Sequence, residues 1–137
     1  MSARRPALVL GACLLAFGAL RTFAHHSFAA YDKTKTVNLK GTIKSFQWVN
    51  PHVQILVYVE PAGGGAPETW AVETTSPGVL TRSGWTRNSL KPGDRVSVDI
   101  SPLRDGSHGG GLDKVTLLDT GQVLTVTFAS EDKPDTP

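Results

Sequence analysis

Cysteine is almost absent: the 137 residues contain one, Cys13, and a single methionine, Met1. One thiol excludes an internal disulfide framework and a multi-thiolate metal site, so packing has to supply the stability. Charge is sparse as well, at 19% of residues with a formal net charge of +2. That low charge accompanies alternating runs of Val, Ile and Leu able to bury apolar surface, which excludes a chain disordered throughout. Long apolar runs are missing except at the N-terminus, so a multi-pass helical membrane protein is excluded. The length suits one core and is too short for two.

Residues 1–24 read as an export signal. Arg4 and Arg5 make a basic start, an apolar run fills 7–20, and Thr22-Phe23-Ala24 offers small side chains at the first and third positions before a cut. A retained anchor fits less well, because the run holds Gly11 and Gly18, is shorter than the ~20 residues of a span, and is followed by Arg21. A lipoprotein reading of Leu10-Gly11-Ala12-Cys13 is weakened by the apolar run continuing past Cys13. Cleavage after Ala24 removes Arg4, Arg5, Arg21 and no acid, leaving eleven bases against twelve acids, a formal charge of −1. The basicity that argues for nucleic-acid binding leaves with the signal, and so does Cys13. The expectation is a periplasmic protein with no nucleic-acid partner and no stable membrane insertion after cleavage.

The remainder divides into an N-terminal arm over 25–35, a β-barrel domain over 36–128 and a frayed polar tail over 129–137. Val37, Leu39 and Ile43 alternate with Lys40, Thr42 and Lys44, which predicts a strand with one buried face. Phe46 and Trp48 then fall on the opposite parity, so a bulge at Gly41 or Ser45 is expected to switch the faces. Asn50-Pro51 makes a turn into a second strand, and the glycine-rich stretch 61–67 leads to a third in which Trp70 and Val72 share a face. Ser76 caps a short helix begun by Pro77 and stopped by Gly84. Lys91-Pro92-Gly93-Asp94 turns into a fourth strand carrying Val96, Val98 and Ile100. Residues 102–111 read as a loop with four glycines, and 112–118 and 122–128 as two more strands. Three strands, a helix and two strands with one extra is the order of an all-β, OB-like Greek-key barrel, with a β-sandwich as the alternative. Val37, Leu39, Ile55, Val57, Val72, Val96, Val98 and Val115 are expected inside, and Lys40, Lys44, Asp99 and Lys114 outside.

The most informative chemistry lies at the new N-terminus, His25-His26-Ser27-Phe28. A free α-amine on a residue that also carries an imidazole forms a chelating pair, and His26 adds a second imidazole. Nitrogen ligands in a near-planar set suit Cu(II), which makes it the candidate cofactor. His52 and His108 fall in the loops that flank the usual ligand face of an OB barrel, and the arm is long enough to reach that rim, at ~3.3 Å per residue. His52 joins His25 and His26 as a candidate metal ligand. His108, Arg104 and Trp85 are candidates for ligand contact. Trp48, Trp70 and Trp85 with Phe46 and Tyr58 either stack on sugars or bases or fill the core; a barrel this small needs them in the core, with Trp85 left exposed after Gly84. No hydrolase site is visible: Thr75-Ser76-Pro77-Gly78 lacks a nucleophile elbow, and Glu60, Glu73 and Asp99 read as solubilising. Gly109-Gly110-Gly111 lacks the lysine and helix of a phosphate loop.

Taken together, His25-His26-Ser27-Phe28, Phe46-Gln47-Trp48-Val49-Asn50-Pro51-His52, Ser76-Pro77, Gly84-Trp85, Lys91-Pro92-Gly93-Asp94 and Pro102-Leu103-Arg104-Asp105-Gly106 resemble the exported bacterial proteins of domain-of-unknown-function family 6152. The resemblance spans about 25–118 and implies export in Gram-negative bacteria. It implies no activity, substrate or catalytic residue. The residues themselves point first to a periplasmic, non-catalytic binding module for a divalent metal, copper, through His25, His26 and His52. Two alternatives stand beside it: an adaptor for a protein or glycan using Trp85 and nearby loops, and an oxidative copper enzyme using the terminal chelate. A periplasmic protein partner is compatible with the first two readings, and the sequence sets no oligomeric state.

Overall fold

The structure is a computed structural model that describes residues 28–126. After a short 3-10 turn over Phe28–Ala30 come β1 (Val37–Gln47), β2 (Gln54–Val59), β3 (Glu68–Glu73), α1 (Pro77–Arg82), β4 (Arg95–Pro102), β5 (Gly109–Leu117) and β6 (Val123–Thr125). The order across the sheet is β3-β2-β1-β4-β5-β6, and a parallel pairing of β3 with β5 closes five of the strands into a mixed barrel. No helix among the described residues is long and apolar enough to cross a membrane.

Period-two alternation builds the interior as expected. Leu39, Ile55, Val57, Val72, Val96, Val98 and Val115 are all buried, and Val37 packs half-buried at the edge of the same cluster. Lys40, Lys44 and Lys114 are exposed. Asp99 is half-buried, accepting from Asn38 Nδ2 at 2.6 Å and paired with Lys114 at 2.9 Å. The parity switch in β1 has its bulge: Ile43 faces Val57, but Ser45 faces Leu56, so β1 spends one extra residue at Lys44. Beyond that point Phe46 and Trp48 turn onto the core.

Closure depends on Gly109, Gly110 and Gly111, which lie inside β5, so the strand starts three residues before the Leu112 expected from the sequence. Ala71, Val72 and Glu73 pair with these three glycines in register. A Cβ on Gly109 would stand 2.9 Å from the Ala71 carbonyl oxygen, and one on Gly110 would run into the Ser101 carbonyl. β5 therefore admits only hydrogen at these two positions, at Gly109 on its β3 side and at Gly110 on its β4 side.

The helix forms where the capping signal puts it, with Ser76 Oγ accepting from Val79 N and Pro77 in the first turn. Gly84, at φ +86°, then reverses the chain. Trp85 corrects the expectation of an exposed ring: it is 1% exposed, inside the core. The reversal turns its side chain under the barrel, where Nε1 donates to the Thr125 carbonyl at 2.8 Å and the ring lies 6.2 Å from Phe46. A satisfied indole N–H removes the cost of burying it.

Candidate functional site

The described part of the N-terminal arm lies on the barrel. Tyr31 bridges Leu103 in an antiparallel pair, Asp32 N donates to the Pro102 carbonyl at 2.8 Å, and Arg104 N donates to the Ala30 carbonyl at 3.0 Å. Arg104 Nε also donates to the Ala29 carbonyl at 3.1 Å, so this candidate ligand contact clamps the arm. Asp32 closes the arm with a local turn, accepting from Thr34 N at 3.1 Å and Thr34 Oγ1 at 2.6 Å and pairing with Lys35. These bonds, Thr34 first and then Lys35, hold the Asp32 carboxyl down at about 2.

Tyr31 is buried against the seam, where a Cβ on Gly111 would stand only 3.2 Å from its ring. Gly111 is the register partner of Glu73, so the phenol arrives beside that carboxylate and donates to Glu73 Oε2 at 2.8 Å. Burial, the hydrogen bond to Glu73 and its negative charge, in that order, raise the phenol well above its ordinary range.

Glu73 also holds His52. Gln54 faces Glu73 in the β2–β3 ladder, and Val53 extends it by donating to the Thr75 carbonyl and accepting from Thr74 N. The preceding residue, His52, thereby meets Glu73 Oε1 through Nδ1. A carboxylate only accepts, so the pairing puts a proton on Nδ1, and in the neutral ring the lone pair is then on Nε2. One carboxylate at the end of β3 thus joins the arm to the loop before β2.

His108 belongs to a different cluster. Its ring stacks on Trp70 at 4.8 Å and 14°, with Nε2 3.5 Å from Glu68 Oε2. Glu68 and Glu73 sit at opposite ends of β3, roughly 16 Å apart at ~3.3 Å per residue, and an odd separation puts them on opposite faces. His52 and His108 therefore do not converge. His25 and His26 lie outside the described residues. Among the described residues no three His, Cys, Asp or Glu side chains gather in a way that could hold a metal ion.

The model of a family of unknown function, DUF6152, matches residues 13–113. The chain belongs to that family. No curated protein and no solved structure matches it. The DUF6152 match takes in the whole arm, Glu73, the Trp70–His108 stack and the glycine seam, so the contacts of Tyr31, Glu73, His52 and His108 lie within the family's span.

In this DUF6152 member the sequence reading missed Tyr31 and Glu73. Glu73 alternates like any solubilising acid at a strand end, and only the hairpin register shows that His52 stands beside it. That register runs through a glycine-rich loop whose path the sequence does not define. Trp85, by contrast, offers no ligand surface, because its ring is enclosed.

Proposed function

We propose that this protein is an exported, non-catalytic binding module that holds a divalent metal ion, copper by its ligand chemistry, through the mature N-terminus with help from His52. The observation that carries the reading is the shared Glu73 carboxylate, which takes the Tyr31 phenol on one oxygen and His52 Nδ1 on the other. A carboxylate on the far nitrogen is the usual support of a metal-binding imidazole, fixing its tautomer and orientation and raising its basicity. Tyr31 follows His25 by six residues, which span at most ~20 Å, so anchoring the phenol at Glu73 keeps His25 and His26 within reach of His52. The α-amine and imidazole of His25 would supply a chelate, His26 a further nitrogen and His52 Nε2 the ligand from the barrel. Copper(II) suits such a nitrogen set.

The test is mass spectrometry of the exported protein titrated with Cu(II) and Zn(II). The expected result is a chain beginning at His25 that takes up one Cu(II). Placing one residue before His25 should weaken uptake most, because it separates the amine from the imidazole that completes the chelate. His52→Ala should cost less, and His108→Ala least. Protons compete for the same nitrogens, so binding should weaken as the pH falls. Equal uptake by native and lengthened proteins, or none by either, would overturn the reading.

A further inference from the structure

A concavity of about 670 Å³ lies on the outer face of β1, β2 and β4 and shares no residue with the arm, His52 or His108 clusters. Lys40, Thr42, Tyr58, Glu60, Arg95 and Leu118 line it. The register explains its shape. Thr42 faces Tyr58 on one neighbouring strand and Arg95 on the other, so a short side chain forms the floor between two long ones. The walls stand about two strand spacings, or ~10 Å, apart. The Leu118 amide donates to the Arg95 carbonyl at 2.8 Å, which places its exposed side chain beyond that wall.

The trough combines three kinds of contact. Tyr58 is 42% exposed and presents an aromatic ring. Cations surround it: Lys44 Nζ lies 4.9 Å from the Tyr58 ring centroid, Arg95 is forked onto Asp119, and Lys40 takes part in no ion pair among the described residues. Glu60 supplies a carboxylate acceptor beside them and is likewise in no ion pair there.

We infer that this trough binds an acidic oligosaccharide, a short chain of hexuronic acid residues. The apolar C–H face of a pyranose packs on Tyr58, the uronate carboxylate meets Lys40, and sugar hydroxyls donate to Glu60. A neutral sugar would leave Lys40 without a counter-charge. A fatty acid would use Lys40 and Leu118 but lay its tail against Glu60 and Arg95, and a run of phosphates would meet Glu60 and Asp119 among the cations.

The experiment is an amide NMR titration of the metal-free protein, which separates this inference from the metal reading, using trigalacturonate, maltotriose and octanoate. Trigalacturonate alone is expected to shift the Thr42, Tyr58, Glu60 and Leu118 amides to saturation. Lys40→Ala should weaken it up to about fivefold, as for an exposed charge contact. Tyr58→Ala should weaken it up to about tenfold and Tyr58→Phe less than about twofold, since the ring and not its hydroxyl makes the contact. Both side chains are exposed, and the spectra themselves report whether each variant is folded. The inference is overturned if trigalacturonate moves none of these amides, if maltotriose or octanoate moves them with equal or higher affinity, or if Lys40→Ala and Tyr58→Ala leave the affinity unchanged.

Discussion

Glu73 takes one partner from the arm, 42 residues upstream, and another from a loop 21 residues upstream. Removing the phenol hydroxyl leaves one carboxylate oxygen short of a donor in a half-enclosed place. Tyr31→Phe should therefore lower stability by about 1–2 kcal/mol in urea unfolding, whereas an unchanged midpoint would mean that water replaces the bond at no cost. The pH window of the arm follows from two shifts of opposite sign. Tyr31 is raised above its ordinary 10.0, so its contribution is complete below that pH and is lost as the pH climbs above it. Asp32 is depressed, so its contribution is complete above its ordinary 3.8 and is lost as the pH falls through about 2. The Tyr31 ring resonances should keep their native shifts from about pH 4 to beyond pH 10, where an ordinary phenol is already half ionised, and drift only outside that range. Tyr31→Phe should lose the alkaline step only, and an alkaline step that survives in that variant would assign it to another group. These residues were hard to see in the sequence because a lone Tyr in an arm and a lone Glu at a strand end carry no periodic signal.

At the scale of elements, legibility follows side-chain alternation. β1, β2 and β4 announce themselves because Val, Ile and Leu alternate with polar residues, and the β1 bulge shows as a change of parity before any pairing is known. The start of β5 does not, since three glycines have no side chains to alternate and look the same in a loop as in a seam. Their placement predicts a contrast between glycines. Gly109→Ala pushes a methyl into the Ala71 carbonyl oxygen of β3 and Gly110→Ala into the Ser101 carbonyl oxygen of β4, and each should cost about 1–3 kcal/mol by thermal or urea unfolding. Gly63 lies in the hairpin loop with an ordinary φ, and a methyl added there would meet nothing within 4 Å, so Gly63→Ala should be neutral or stabilising by up to about 1 kcal/mol. Equal effects at Gly63 and Gly109, whose added methyl would meet the Ala71 carbonyl of β3, would show that the β3–β5 pairing does not close the barrel. Trp85 is illegible for a related reason: a connection between helix and strand has no period, and the reversal at Gly84 decides where the next side chain goes.

For the whole molecule, the question is whether the metal would be held by a peptide end or by a folded protein, and thermal stability separates the two. A chelate made only from the α-amine and imidazole of His25 exists equally in the unfolded chain, so Cu(II) bound there favours neither state. A site that includes His52 exists only when the β2–β3 hairpin and the docked arm bring His52 and Tyr31 to Glu73. If the second arrangement holds, free Cu(II) at a hundredfold over Kd should stabilise the fold by up to about 2.7 kcal/mol, less whatever the terminal chelate gives back in the unfolded chain. In a domain of this size that is a rise in Tm of up to about 10 °C. His52→Ala should then keep much of the affinity and lose the rise, whereas Glu73→Gln, which keeps the shape but weakens the grip on both partners, should lie between. Binding without any rise in the native protein would place the metal on the arm alone and leave His52 and Glu73 as the latch that docks it.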